Sequence, residues 1–441
     1  MLEALRSLLW GWPVLGLLVA AGVYFSCSTG FLQLRRPGRW LGAAWRQPPG
    51  EGKISSFQAL TAALAGSIGT GNIVGVAAAI TVGGPGALFW MWVSGLLGMG
   101  TVFAENVLAA RHREAAGMLG AIRQGCRRWG RPLAALYAGG CVLSSLAMGN
   151  MAQTQAAAAA LSSLGAPAGG TALALGLLAF FVARGGLARG VKITERLVPC
   201  MTLLFLGASL GVLWVFRENL PRAVASIFQG AFCPRAGAGG AAGALLAMGT
   251  GISRGVFTNE AGLGSAAFAY QEVEGRTPVE LGYMGMFQVF VDTLLLCTVT
   301  GLCILCCRSP LLEGAQLTLY AFSAAWGPVG GGAVSLCTAL FAVATLVAWS
   351  CYGREGLFYL TRGRGGTVYA VGAGVAAALG CLLPLETVLQ LGDAMNGLLA
   401  LPNLTALFLA RREVRRTLQE EGRREHRRGT RQGARELFIK F

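Results

Sequence analysis

Leu64-Ala-Gly-Ser-Ile-Gly-Thr-Gly-Asn-Ile73 decides how this chain is read. It lies inside an apolar stretch, roughly Phe57 to Val82, that is long enough to cross a bilayer. Its centre, Gly69-Thr70-Gly71-Asn72, is poor helix material. Each glycine disfavours continuous helix by about 1 kcal/mol relative to alanine, and Thr and Asn side chains satisfy backbone groups that a break sets free. In hydrocarbon such backbone survives only where protein or a polar cavity surrounds it. The stretch therefore reads as a transmembrane helix interrupted at mid-membrane. Gly249-Thr250-Gly251 repeats the triplet 180 residues later, again in a Gly-rich apolar segment. Paired Gly-interrupted segments in corresponding places of two halves mark the midplane site of a transporter. Close helix packing through glycine explains one such pair better than two matching ones.

Composition agrees with a membrane setting. Of 441 residues, 54% are hydrophobic and 13% charged, with a mean hydropathy of +0.58. This is the signature of a polytopic membrane protein rather than a soluble globule. The 66 glycines suit tightly packed membrane helices. The formal charge of +16 would suggest nucleic acid in a soluble protein, but here topology sorts it and nucleic-acid binding is not expected. Twelve cysteines, Cys141, Cys297, Cys303 and Cys337 among them, fall mostly in apolar runs at no metal or redox spacing, so they read as packing thiols. The two histidines, His112 and His426, sit in basic surface segments, which excludes a His-based catalytic or metal site.

The first apolar run, Leu8 to Phe25, lacks the basic start and small-residue cleavage site of a signal peptide and reads as a retained helix near 11–32. Ten further apolar segments follow, near 56–82, 86–110, 132–162, 168–183, 194–215, 241–268, 281–306, 334–358, 367–384 and 387–410. A shorter amphipathic segment near 313–325 reads as lying at one surface. Alternate loops hold 30 of the 36 basic residues, beginning with Arg35, Arg36, Arg39, Arg46 and Lys53 and ending with eleven in the tail from Arg411. The opposite side holds Arg6, Arg217, Arg222, Arg235 and Arg308, and Arg254 alone is intramembrane. This asymmetry places the N-terminus outside and the C-terminus in the cytoplasm of a multi-pass cell-membrane protein.

With the first span set aside, the broken segments near 70 and 250 are the first and sixth of ten. Five spans per half is odd, so the halves insert in opposite directions. That is the arithmetic of a five-plus-five inverted repeat of LeuT-like architecture. The expected fold class is all-α integral membrane, about eleven transmembrane helices, with one extra N-terminal helix. The expected division is 1–54 (extra helix and cytoplasmic loop), 55–216 (first repeat), 217–410 (second repeat) and 411–441 (a basic cytoplasmic tail against anionic headgroups).

Several ordered motifs resemble the alanine/glycine:cation symporter family, the sodium:alanine symporters. They are Ser56-Phe-Gln-Ala-Leu60, Gly69-Thr-Gly-Asn-Ile-Val-Gly-Val76, Gly83-Gly-Pro-Gly-Ala-Leu-Phe-Trp-Met-Trp92, Glu105, Gly149-Asn-Met-Ala-Gln153 and Glu195-Arg-Leu-Val-Pro199. Arg254-Gly-Val-Phe-Thr-Asn-Glu-Ala-Gly-Leu-Gly-Ser265, Asp292-Thr293, Trp349 through Gly353 and Pro402-Asn403 complete the series, which runs from about residue 11 to 410. The resemblance implies sodium-coupled uptake of alanine, glycine or a similar small neutral amino acid, with sodium as the co-transported ion. The chain departs from the family at Ala116 to Arg123, where a Gly-Gly-Pro segment is usual, and in the run Ala156 to Ala160.

An amino acid needs donors for its carboxylate and acceptors for its ammonium. Thr70, Gly71 and Asn72 offer both from the first break, and Gly251, Ser253, Gly255, Phe257 and Thr258 from the second segment, where glycine permits close backbone approach. The resemblance implies that Gln153 reaches the substrate. A simple interhelical hydrogen bond is its bland alternative. Phe257 and Trp349 wall the pocket or merely pack. In the LeuT-like pattern, carbonyls near Gly66 and Gly69 with the Thr345 hydroxyl hold sodium, unless Thr345 bonds its own helix. Intramembrane charges are functional hypotheses. Arg254 and Glu260 pair to brace the broken helix or close a gate, and Asp292 takes part in ion coupling or a structural bond to neighbouring Thr. Glu105 reads as lying near the cytoplasmic end of its helix. A membrane enzyme would want a nucleophile–base pair or a metal cluster, and neither is visible. Proton coupling through Asp292 or Glu260 is the nearest rival to sodium.

Overall fold

A computed structural model describes residues 2–45, 54–232, 241–307, 312 and 314–424. Arg46, Lys53, Arg235, Arg308 and the tail beyond 424 lie outside them. Among the described residues the chain is helical throughout, and its one β-type pairing is the single bridge between Ile54 and Val273.

Helices Leu2–Trp10 (α1) and Trp12–Ser28 (α2) open the chain. Ser55 then caps Ser56–Ser67 (α3): its Oγ accepts from the Gln58 amide while the Gln58 side chain accepts from the Ser55 amide. Val74–Gly83 (α4) continues the same course after a break. There follow Gly86–Arg111 (α5), Gly130–Ser162 (α6), Ala168–Gly185 (α7), Leu187–Val215 (α8) and Leu220–Phe232 (α9). Ala241–Asn259 (α10) is followed, after a second break, by the single turn Ala267–Tyr270 (α11). Pro278–Cys307 (α12) starts on a second capping box, Thr277 with Glu280. Ala315–Thr361 (α13) bends at Gly327, whose φ of 62° precedes Pro328, so 315–326 forms the short separate arm expected near 313–325. Gly366–Gly380 (α14) and Leu385–Leu409 (α15) follow, and the short helices Leu32–Arg35, Pro37–Ala43 and Met118–Gly125 lie in the connections.

Seven of these stretches are long and apolar enough to cross a membrane: Arg6–Ser28, α5, α6, α7, α8, α12 and α13. Exposure tells the same story. Leu173, Leu177 and Phe181 on α7, Leu203, Leu210 and Trp214 on α8, and Val368, Val371 and Val375 on α14 are all exposed. Apolar faces of that extent belong against lipid, not water. The molecule is thus all-helical and multi-pass.

The packing pairs elements that are far apart in sequence. α4 lies on α10 and α3 on α11, α5 lies on α12, α6 on α13, and α7 on α14. Glycine lets several of these pairs approach at backbone distance: Gly176 and Gly374 face each other's carbonyl at 3.0 and 2.9 Å from where a Cβ would stand. The first helix is no appendage. Ala21 and Phe25 of α2 are fully buried, and Gly22 and Gly100 bring α2 against α5. The eleven cysteines among the described residues are unpaired, and only Cys27 and Cys200 are exposed.

Candidate functional site at the helix breaks

The backbone leaves helical geometry at Ile68 (φ −72°, ψ 89°) and runs extended through Gly69 (φ −130°, ψ −162°). A single 3-10 turn, Thr70–Asn72, leads into α4. Asn72 closes the turn by accepting the Gly69 amide on Oδ1 at 3.0 Å. Every residue from Ser67 to Ala77 is buried, so the amides and carbonyls freed by the break must find partners in protein or ligand.

Three helices supply them, and a fourth packs on the break. From α6, Gln153 Oε1 accepts from the Thr70 amide (3.1 Å) and hydroxyl (2.9 Å). From α12, Asp292 accepts Asn72 Nδ2 on Oδ1 (2.7 Å) and on its carbonyl (3.0 Å), and Thr293 donates to its Oδ2 (2.7 Å). From α13, Thr345 donates to the Ile68 carbonyl at 3.2 Å. From α10, Thr258 and Phe257 press on Gly71, where a Cβ would stand 3.0 Å from Thr258 Cγ2 and 3.4 Å from Phe257 Cδ1. At Gly69 a Cβ would stand 2.5 Å from Thr345 Oγ1 and 3.0 Å from Gln153 Oε1, so only glycine keeps both oxygens against the backbone.

Two of these helices widen into π geometry beside the break, at Ser145–Met151 in α6 and Phe290–Cys297 in α12. Side-chain amides take carbonyls of the widened α6: Asn150 donates to Ser145 O (2.6 Å) and Gln153 to Met148 O (3.1 Å). Such π segments collect at functional sites, and nothing in the sequence reading foresaw them.

The second break is displaced from its expected place. α10 runs unbroken through Gly249-Thr250-Gly251 and ends at Asn259. The chain then turns through Glu260, Gly262 and Gly264, with φ of 58°, 90° and 69°. The earlier glycines serve packing, and the contacts they permit offset their weak helix propensity. Gly249 meets the Trp12 ring, Gly251 the Ala87 carbonyl and Trp90, and Gly255 meets Ser94 and Met91 of α5. Ser253 accepts from Trp10 Nε1 at 2.9 Å. Gly251, Ser253 and Gly255 therefore face α5 and the N-terminal helices, while Phe257 and Thr258 reach the first break.

Two buried carboxylates organise this second turn. Glu260 accepts from Trp349 Nε1 (2.6 Å) and Ser265 Oγ (2.5 Å). Glu105, fully buried on α5 rather than solvated at its end, accepts from Asn403 Nδ2 (2.6 Å) and from the amides of Gly262 and Gly264. Asn403 and Tyr137 also donate to the carbonyls of Gly262 and Leu263, each at 2.9 Å. Trp349 is wholly buried, with Gly149 against its Cβ side. Gly66 lies in the same seam, facing Tyr352 and Glu260.

Arg254 does not pair with Glu260. Six residues of helix turn the two side chains to different faces, and Glu260 lies beyond the helix end. Arg254 instead bonds Asp393 Oδ2 of α15 at 2.6 Å, its guanidinium 5.2 Å above the Phe257 ring. Arg6 Nη1 stands 4.0 Å from the same oxygen. Asp393 was overlooked in the sequence, although a lone acid in an apolar run is its own signal. Among the described residues no group of His, Cys, Asp and Glu has a metal-binding arrangement, so a cation here would meet hydroxyl, amide and carbonyl oxygens with single carboxylates.

The model of a family described as "Sodium:alanine symporter family" matches residues 1–435. An uncharacterized transporter of Haemophilus influenzae is 37% identical over 429 residues, covering 94% of each chain. The sodium/alanine symporter AgcS of Methanococcus maripaludis is 35% identical over 428 residues, covering 93% of this chain and 94% of its own. The probable sodium/glutamine symporter GlnT of Bacillus subtilis is 33% identical, covering 95% and 90%. The chain belongs to the sodium:alanine symporter family, and it is a transporter, not an enzyme.

Proposed function

We propose that this member of the sodium:alanine symporter family imports a small neutral amino acid, alanine or glycine, together with sodium by alternating access. One observation carries the reading: Gln153, Asp292 and Thr345, from three different helices, converge with Phe257 and Thr258 on the six residues of the break, Ile68–Ile73. The substrate lies against Thr70, Gly71 and Asn72, with Gln153 as two-way partner and Phe257, Thr258 and Trp349 limiting side-chain size. The closeness of Phe257 and Thr258 to Gly71 supports a substrate with little or no side chain. Sodium lies between α3 and α13, held by Thr345 and by backbone carbonyls near Gly66, Ile68 and Gly69. Oxygen ligands without net charge suit a hard monovalent cation. Substrate and ion then share one broken helix, so filling both favours closure. The relative named a sodium/alanine symporter supports both assignments.

The architecture in this reading is the five-plus-five inverted repeat of eleven crossings, divided at 55–216 and 217–410, with the N-terminus outside, the C-terminus cytoplasmic, and the cell membrane as its place. The pairing of α3–α4 with α10–α11, α5 with α12, α6 with α13 and α7 with α14 supports it, since an internal two-fold brings equivalent helices together. The Arg254–Asp393 pair above Phe257 acts as the outer closure. A second reading, proton coupling, is favoured by one contact: Asp292 is fully buried and bonded directly to Asn72 of the first break, where a proton gained or lost reaches the site at once.

Uptake of labelled alanine into proteoliposomes, with and without an inward sodium gradient at fixed pH, tests both. Sodium-driven accumulation lost in Thr345→Ala supports the sodium site. Accumulation that follows a pH gradient and ignores sodium moves coupling to Asp292 or Glu260. Folded protein that accumulates neither alanine nor glycine ends the substrate assignment.

A further inference from the structure

The short helix α1, whose second half opens the first apolar stretch, bridges the two sides of the proposed closure. α1 lies along α15, so close at Gly397 that a Cβ there would run into the Leu9 backbone. At its other edge the buried Trp10 donates to Ser253 of α10 at 2.9 Å, and Trp12 lies on Gly249. Between these anchors Arg6 approaches Asp393 Oδ2 at 4.0 Å, the oxygen that Arg254 holds at 2.6 Å. Two guanidiniums therefore serve one carboxylate whose side chain is 1% exposed, while Arg6 is 41% and Arg254 12% exposed. The set is not saturated. Asp393 Oδ1, Arg254 Nη1 and Arg6 Nε are buried without a hydrogen-bond partner among the described residues.

We propose that α1 is the third side of this closure, with Arg6 and Trp10 as positioning residues for the transport cycle. The inference rests on the transport reading and goes beyond it. Opening the α10–α15 seam separates Arg254 from Asp393. A buried carboxylate stripped of its hydrogen-bonded cation is strongly disfavoured, because its desolvation is then poorly compensated. Arg6, on the more exposed helix, keeps Asp393 compensated as Arg254 leaves with α10, and the spare donors and acceptor let the exchange proceed without an unpaired intermediate. Trp10 couples the strap to α10, so α1 must slip on Ser253 whenever the seam opens.

The test uses the full-length protein in proteoliposomes, with alanine uptake as one readout and backbone hydrogen exchange of segment 249–258 as the other. Arg6→Gln is expected to raise the alanine KM and speed exchange in that segment, each roughly fivefold, as for loss of a charge-assisted contact, with segment 56–67 unchanged. Arg6→Lys is expected to restore both. Trp10→Phe, which keeps an aromatic ring and loses the N–H, is expected to speed exchange in 249–258 to a smaller extent. If Arg6→Gln and Trp10→Phe leave both readouts at wild-type values while Asp393→Asn changes them, the closure has two sides and α1 only packs. Should Arg6→Gln not fold, Arg6→Met, which also removes the charge but keeps an apolar stem, and Trp10→Phe still decide the matter. The exchange readout needs no substrate, so its failure is distinguishable from failure of the alanine assignment.

Discussion

The two breaks differ in what holds them. The first, Ile68–Ile73, is neutral in its own atoms, and its glycines have ordinary negative φ or are chosen for lack of a Cβ. Its partners, Gln153, Asp292 and Thr345, come from separate helices, each making one or two bonds. The second, Glu260–Ser265, carries its own carboxylate and wraps another, Glu105, with three residues at positive φ and bonds from Trp349, Ser265, Asn403 and Tyr137. A loop fixed by charge, backbone conformation and four side chains is a brace. A loop held by one or two separable hydrogen bonds from each of three helices can trade partners with a ligand, because each bond contributes only about 1–3 kcal/mol net.

Substitutions separate the two roles. The largest effect belongs to the brace: Gly262→Ala and Gly264→Ala place a Cβ at positive φ and against Leu18 or Asn403 and Tyr137, and are expected to cost about 2–5 kcal/mol, read as a large fall in thermal stability and yield. Next, Asn72→Ala leaves Asp292 short of its charged hydrogen bond. Uptake is expected to fall about 10- to 100-fold in protein whose melting temperature changes far less than in the glycine variants. Equal stability losses at the two breaks would dissolve the distinction. Thr345→Ala is expected to weaken sodium activation by about tenfold with a smaller change in alanine KM, and an unchanged sodium dependence would place the ion elsewhere. The smallest effect is at Gly249, where the half-exposed Trp12 ring can yield to a Cβ. Gly249→Ala is expected to shift stability by under about 1 kcal/mol and leave KM intact. A KM change there would return the second triplet to the site.

The sequence disclosed the first break because Gly-Thr-Gly-Asn in an apolar run has no comfortable helical reading. It misplaced the second because glycine has two uses in membrane helices. Gly249 and Gly251 make room for Trp12, Ala87 and Trp90, while Gly262 and Gly264, thirteen residues on, make the turn. Residue type alone does not separate room from turn; the positive φ does. Gln153 bonds Thr70 of the break, the interhelical contact that was the bland alternative to a substrate role, and the π segments that aim Gln153 and Asp292 depend on packing and left no local mark. The partner of Arg254 was missed because Asp393 is 139 residues away, and proximity along the chain favoured Glu260. The helices set aside as an addition to the core proved to lie on Gly262, Gly249 and Gly397, close approaches invisible until the chain is folded.

The unpaired thiols carry a consequence for labelling chemistry. Cys200 lies near the middle of α8 among its exposed apolar residues, whereas Cys27 is the penultimate residue of α2. Alkylation requires a thiolate and an aqueous approach. In liposomes a water-borne maleimide should therefore mark Cys27 and pass over Cys200, and dissolving the bilayer into micelles should uncover the second. Among the described cysteines these two sulfur atoms thus report whether the protein still sits in its bilayer.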